Sequence, residues 1–377
     1  MSHFRIIEHT IRCQNIRERL GAVKPGHEND LRLAVKQYIP KDNTTSRYGN
    51  ITIIGAHANA FPKQGQSGIL NESIYGNDLD NTSRDLLSLV NYFSSQITLT
   101  SPIVGIGQSM GGMQLARLSL LHPSLFSALI LLDPVIQRVN PGLIFAAAST
   151  SRSDLWASQP VYQAWDERVF EKWTQYGLRE MPTALYPLCE KDHWGKGNVT
   201  LTTAKARELF IYVRPSYIDC QSGIVRGSPE EDMDSDVIAI HNTDINTDTD
   251  SVPFYRPEPA RMFRRLPEVK PLVLYLFGSK SDLSSPNTRR EEIESTGTGV
   301  GGSGGLVKGQ VEEIVLPAGH MVPVEMVWES GQARADFIAR RVKGWEWNVK
   351  RFRDAWEGVD WQEQVRVDEQ LRDSIGY

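Results

Sequence analysis

Apolar and polar positions follow two periods along most of the chain. Phe4 to Cys13 has Phe4, Ile6 and Ile7 apolar with polar residues interleaved after them, and Leu31-Arg-Leu-Ala-Val-Lys-Gln-Tyr-Ile39 alternates at period two before stopping at Pro40. Both read as half-exposed strands, expected to pair antiparallel at one edge of a sheet. Ile51-Thr-Ile-Ile-Gly-Ala56 is a buried strand that runs into His57-Ala-Asn-Ala-Phe61. Asn81 to Phe93 opens on good N-cap residues and puts Leu86, Leu89, Val90 and Phe93 on one helical face. A strand at Ile103–Ile106, a helix from Gly111 to His122 closed by Pro123, and strands at Ala128–Asp133, Lys270–Gly278 and Val311–Leu316 follow. Val324 to Val365 reads as helical, with Trp328, Phe337, Trp345, Trp347, Phe352 and Trp356 to bury. Strands alternating with helices predict a mostly parallel α/β sheet.

From about Pro134 to Pro267 the pattern changes. Pro160 to Tyr176 looks helical and carries Trp165, Phe170 and Trp173, whereas Glu230 to Asp250 is acidic and poor in strand signals. This predicts a core made of residues 1–135 and 268–377 and a helical lid insertion over 136–267. Most of the insertion's aromatics are expected to pack among themselves, with a few facing a pocket. The glycine-rich run Gly297–Gly305 has no following Lys-Ser/Thr and no strand directly before it, so it reads as a mobile linker and not as a phosphate loop.

Composition narrows the function. A chain of 377 residues that is 40% hydrophobic can bury a large core, and a formal net charge of −5 argues against nucleic acid as a partner. No stretch reaches the roughly 18 apolar residues of a membrane span. Three widely spaced cysteines, Cys13, Cys189 and Cys220, fit a reducing compartment better than a disulfide framework. The first residues lack a signal-peptide core and the chain ends Ile375-Gly-Tyr377, which is no peroxisomal tripeptide, so the cytosol is expected.

The chemistry concentrates at Gly107-Gln-Ser109-Met-Gly111, a G-x-S-x-G pattern between a strand and a helix. Such a turn lifts the serine hydroxyl clear of the sheet, so Ser109 is the candidate nucleophile. The oxyanion hole would take one N–H from Met110 and one from the loop after the third strand, at Asn59 or Ala60. His57, at the start of that loop, reads as a structural histidine. His320 follows the last strand in Pro317-Ala-Gly-His320-Met-Val-Pro and is the candidate base. Two aspartates end strands upstream of it, Asp133 and Asp282, and either could orient the imidazole. No pair of histidines has metal-ligand spacing, so neither metal nor cofactor is expected.

The blocks Ala56-His-Ala-Asn-Ala-Phe-Pro-Lys63, Gln64–Glu72, Pro102–Gly112, Leu132-Asp-Pro-Val135, Arg179–Pro187 and Gly319-His-Met-Val-Pro-Val-Glu325 resemble the fungal secondary-metabolite α/β-hydrolases. That group includes hydrolases of AK-toxin and mycophenolic-acid biosynthesis. The resemblance implies the α/β-hydrolase fold, a triad of Ser109, Asp133 and His320, with Asp282 as the alternative acid, and a small-molecule acyl substrate, CoA-linked or not. It also implies an acyl-thioester hydrolase, with a carboxylesterase, a lactonase or an impaired binding protein as alternatives. Members often end in a peroxisomal tripeptide, which this chain lacks. Arg261, Arg264 and Arg265 could meet CoA phosphates, although a solvated helix face is the plainer reading. The oligomeric state stays open, a dimer included.

One departure stands out after Lys63. Hydrolases of this fold place a helix and a further parallel strand between the oxyanion loop and the helix before the nucleophile. Pro62 to Gly68 holds no apolar run for either, and the residues up to Asp80 have a loop composition. The expectation is a sheet short of one helix and one strand after residue 63, with the gap beside the nucleophile strand.

Overall fold

The computed structural model describes residues 3–14, 23–41, 51–57, 65–74, 82–97, 99, 101–138, 160–187, 198–203 and 258–376 except 368, with short bridges between 214 and 255. The chain forms two compact units, Met1–Ala333 and Arg334–Tyr377.

In the first unit β1 (Phe4–Arg12) and β2 (Arg32–Pro40) form an antiparallel pair. β3 (Thr52–Ala56), α1 (Gly65–Leu70), α2 (Thr82–Gln96), β4 (Ile103–Gln108), α3 (Met110–Leu121) and β5 (Ala128–Leu132) follow. Within the expected insertion lie α4 (Glu167–Tyr176) and the small hairpin β6 (Leu178–Glu180) and β7 (Val199–Leu201). The chain then runs through α5 (Glu258–Arg265), β8 (Leu272–Gly278), α6 (Pro286–Ser295) and β9 (Val311–Leu316). α7 (Val327–Trp356) begins in this unit and continues into the second.

Five strands make one parallel sheet in the order β9-β8-β5-β4-β3. β5 is buried at every position and β8 at all but its first, as expected of strands covered on both faces. The outer strands alternate instead: β3 has buried residues interleaved with exposed ones, and β9 after its buried first residue alternates half-buried with exposed positions. Met113, Leu115 and Leu118 of α3, Leu86 and Val90 of α2, and Met262 and Phe263 of α5 pack with these strands in one core. All five strands point the same way, so their C-terminal ends gather the loops that follow Ala56, Gln108, Leu132, Gly278 and Leu316, where ligands bind in open α/β sheets.

The sequence reading needs correction at three places here. First, β4 is paired on both sides, by β3 and by β5, so no gap lies beside the nucleophile strand. Among the described residues the sheet ends at β3 on one side and at β9 on the other, and 65–74 form a helix and a 3-10 turn with no strand. Second, β1 and β2 are not an edge of the main sheet but a separate two-stranded sheet. That hairpin has a small core of its own, Ile11, Cys13, Val23, Leu31 and Leu33, against which Ile74 and Leu89 pack. Its outward edge is met by side chains of α1 and the residue after it. Asn71, fully buried, accepts from the Arg32 N–H at 2.8 Å and donates to the Arg32 carbonyl at 2.7 Å, while Ser67 Oγ accepts from the Ala34 N–H at 3.0 Å. Third, the run 297–305 is docked and not a mobile linker. Gly297 and Gly299 donate to Leu266 and Pro267 carbonyls and Ser303 to Val269, and a Cβ on Gly302 would meet the carbonyl oxygens of Pro267 and Gly297. Its glycines allow backbone to lie against backbone.

The expected burial along the C-terminal helix is realised at Phe337, whereas Trp328, Trp347, Phe352 and Trp356 are exposed. Among the described residues no helix is long and apolar enough to cross a membrane.

Candidate active site

Gly107, Gly111 and Gly112 let the turn between β4 and α3 close. A Cβ on Gly111 would land on the Ala56 and His57 carbonyl oxygens, and one on Gly107 would lie 2.6 Å from the Gly112 Cα. β3 and α3 therefore pass at a distance that admits hydrogen only. Between them Ser109 takes φ 55° and ψ −123°, a conformation costing about 1–3 kcal/mol for a residue with a side chain. It is held there by its neighbours: the Ser109 N–H donates to the Leu132 carbonyl at 2.9 Å, and its own carbonyl accepts from Gly112, Met113 and Val135.

Asp133 follows β5 with φ 43°, a left-handed conformation that aspartate tolerates better than most residues. Its N–H donates to Leu276 of β8 at 2.9 Å. His320 arrives from the loop after β9, where a Cβ on Gly278 would clash with the Ala318 and Gly319 carbonyls. That close approach presses the histidine loop against the end of β8.

The three side chains meet in one line. His320 Nε2 lies 2.8 Å from Ser109 Oγ, and His320 Nδ1 lies 2.6 Å from Asp133 Oδ2. An ionised carboxylate can only accept, so Nδ1 carries the proton and Nε2 is free to accept from the serine hydroxyl. Asp133 is fully buried, whereas Asp282 is exposed and lies in neither contact. Met110, the first residue of α3, is buried with its N–H at a helix start, where no intrahelical acceptor exists. Asn59 and Ala60 lie outside the described residues.

No family model matches the chain. The type I acyl-CoA thioesterase mpaH' of Penicillium brevicompactum is 32% identical to it, over 86% of this chain and 85% of that protein. This chain is a fungal secondary-metabolite α/β-hydrolase. The abhydrolase domain-containing protein AFT2-1 of Alternaria alternata is 28% identical over 64% of the hydrolase and 85% of its own length. The peroxisomal α/β-hydrolase Lpx1 of Saccharomyces cerevisiae superposes on it with a TM-score of 0.58 at 13% identity, covering 100% and 96% of the two chains, which shows the fold. The alignment with the Penicillium protein runs over 381 positions yet covers only 86% of this hydrolase, so the relative carries residues that have no counterpart here.

Sequence reasoning missed four groups around the hydrolase's site. Glu325, five residues past His320, accepts from the Gly319 N–H at 2.7 Å and the Met321 N–H at 3.3 Å, bracketing the histidine's backbone. Gln108 donates to the His320 carbonyl at 3.3 Å. Ser281 and Ser284, on the loop after β8, donate to Asp133. A signal for the serines was present in their spacing on either side of Asp282, but it has meaning only once Asp133 is known to lie opposite. Beneath them Glu292 of α6 is fully buried, and neither of its carboxyl oxygens has a hydrogen-bond partner among the described residues. Burial first, and the Asp133 charge second, push its carboxyl well above the usual range.

In the segment expected to be an insertion, Tyr162, Trp165, Phe170 and Trp173 pack ring against ring, with Phe170 and Trp173 stacked at 6.2 Å. The Asp166 N–H donates to Val324, four residues past His320, at 2.9 Å. Arg265, one of the arginines considered for CoA phosphates, is engaged by Glu268 at 2.7 Å.

Proposed function

We propose that this hydrolase cleaves an acyl thioester, on an acyl-CoA or a related secondary-metabolite intermediate, through an acyl-enzyme on Ser109. The observation that carries the reading is the unbroken hydrogen-bonded line from Ser109 Oγ through His320 to Asp133. His320 Nε2 takes the serine proton as Oγ attacks the thioester carbonyl, and Asp133 stabilises the imidazolium that forms. The Met110 N–H, at the positive end of α3, stabilises the oxyanion, and the sequence assigns the second donor to Asn59 or Ala60. Collapse of the tetrahedral intermediate breaks the C–S bond, and the imidazolium returns its proton to the leaving thiolate. Water then enters, His320 removes one of its protons, and the free acid leaves with Ser109 restored. The name of the Penicillium relative supports a thioester as substrate, since the same triad cleaves esters and lactones equally well. A non-catalytic binding protein gains no support from a site in which nucleophile, base and acid are all in contact.

Thiol release from a panel of acyl-CoAs, set beside p-nitrophenyl ester hydrolysis, tests the substrate class. Acyl-CoA turnover should exceed ester turnover in kcat/KM; a reversed preference would move the assignment to carboxylesterase. Ser109→Ala should lower kcat by about 10⁴ to 10⁶. More than a tenth of the parent activity in the purified, folded variant would remove Ser109 as nucleophile.

A further inference from the structure

A carboxylate with no solvent exposure remains ionised only when donors meet its oxygens. Each oxygen of Asp133 has two. Oδ2 accepts from His320 Nδ1 and Ser281 Oγ, both at 2.6 Å, and Oδ1 accepts from Ser284 Oγ at 2.5 Å and the Gly278 N–H at 3.3 Å. The hydroxyls are aimed before any substrate arrives. Ser281 Oγ accepts from the Leu283 N–H at 3.3 Å, which leaves its proton for the carboxylate. Their loop is fixed on both flanks: Ser279 and Lys280 donate to Leu316 and Ala318 beside β9, and the Gln137 amide donates to the Leu283 carbonyl. Ser281 and Ser284 are buried, whereas Asp282 between them faces solvent.

We propose that Ser281 and Ser284 are positioning residues that fix the Asp133 carboxylate in the plane in which one oxygen serves His320. The loop after β8, which could have supplied the acid through Asp282, supplies two hydroxyl donors to the acid that follows β5. This rests on the reading of Ser109, His320 and Asp133 as the triad. Without the hydroxyls the carboxylate turns about its side-chain bonds and carries more charge on the oxygen facing Nδ1. It then holds a proton more tightly and attracts the imidazolium more strongly. The titratable groups that face Asp133 are His320, from the loop after β9, and Glu292, from α6.

The test compares Ser281→Ala, Ser284→Ala and the double variant with Asp133→Asn and Asp282→Asn, reading kcat, KM, the pH profile of kcat/KM and the melting temperature. Each single alanine should lower kcat about tenfold and the double about a hundredfold, the size of losing hydrogen bonds to a charged group. KM should hold, and the acidic limb of the profile should move to higher pH. Asp133→Asn should cost about 10⁴ in kcat and Asp282→Asn little. Ser281→Cys and Ser284→Cys fill the same space with a weak donor. They should show a smaller loss in the same direction, which keeps the test open should an alanine variant fail to fold. An inactive Asp133→Asn beside folded serine variants of parent kcat and parent profile would overturn the clamp and leave the triad standing. An inactive Asp282→Asn beside an active Asp133→Asn would overturn both.

Discussion

Glu292 is fully buried beside the charge of Asp133, and both raise its carboxyl pKa, burial more than the charge. Its folded pKa lies above the ordinary 4.5, so the native state binds that proton more tightly than the unfolded chain does. The stabilisation this brings is complete below about pH 4.5 and is lost as pH rises toward the folded pKa, with a slope of about 1.4 kcal/mol per pH unit for one proton. Glu292→Gln should flatten the corresponding fall in stability as pH rises above about 4.5, as read from denaturation midpoints across a pH series. An unchanged slope would mean that the carboxyl ionises in place. Tyr275, buried beside it, keeps its hydroxyl on Thr296 Oγ1 at 2.8 Å, and its phenol is pushed up by the same burial. None of this is visible in the sequence, where Glu292 stands in a charged run, Arg289-Arg-Glu-Glu-Ile-Glu294, that reads as a solvated helix face.

Among the elements, the turn from β4 into α3 and the edge of β2 each depend on a few close contacts. Gly111→Ala forces a methyl group onto the Ala56 and His57 carbonyls, and displacing the end of β3 should destabilise the protein by about 1–3 kcal/mol. Activity should fall further than stability, because the displaced strand end leads into the loop assigned to the oxyanion hole; thermal melts and kcat on the same sample check both. Asn71→Ala leaves the Arg32 N–H and carbonyl without their side-chain partner, and should cost about 2–4 kcal/mol in chemical denaturation. The glycine pattern 107–111 was legible because it is local. The edge of β2 was not, since its partners come from residues 67 and 71, and nothing in an alternating strand says which donors will meet its outward groups.

At the scale of the whole molecule, Arg179 and Thr203, in the segment expected to be an insertion, are tied to residues far upstream in sequence. Arg179 of β6 pairs with Glu72 at 2.5 Å, both side chains largely buried, and Thr203 Oγ1 accepts from the Gly65 N–H at 2.9 Å. We expect a double-mutant cycle on Glu72→Gln and Arg179→Met to give a coupling of about 1–3 kcal/mol in unfolding free energy. A coupling near zero would show that the segment is held by its other contacts. The short join after Lys63 belongs to this scale too. The hairpin of β1 and β2 stands apart from the five-stranded sheet, β3 has no strand on its outer side among the described residues, and the Penicillium relative has residues that this chain lacks.

The sequence by itself determined what depends on neighbours along the chain. Apolar runs placed strands at 51–56, 103–106, 128–133, 270–278 and 311–316, each within two residues of the observed strand ends, and the strand-to-helix turn singled out Ser109. Order along the chain placed His320 after the last strand. Which strands adjoin is not a local property: β3 lies next to β4, so the strand before Ser109 is paired on both sides, where the loop composition after Lys63 had led to the expectation of a gap. The same holds for the acid. Asp133 and Asp282 both end strands in the sequence, and only the packing of β5 between β4 and β8 buries one against His320 while the other turns to solvent. Burial, hydrogen-bond partners and the protonation state of Glu292 arise from residues far apart in the chain, so they exist only once the sheet has assembled.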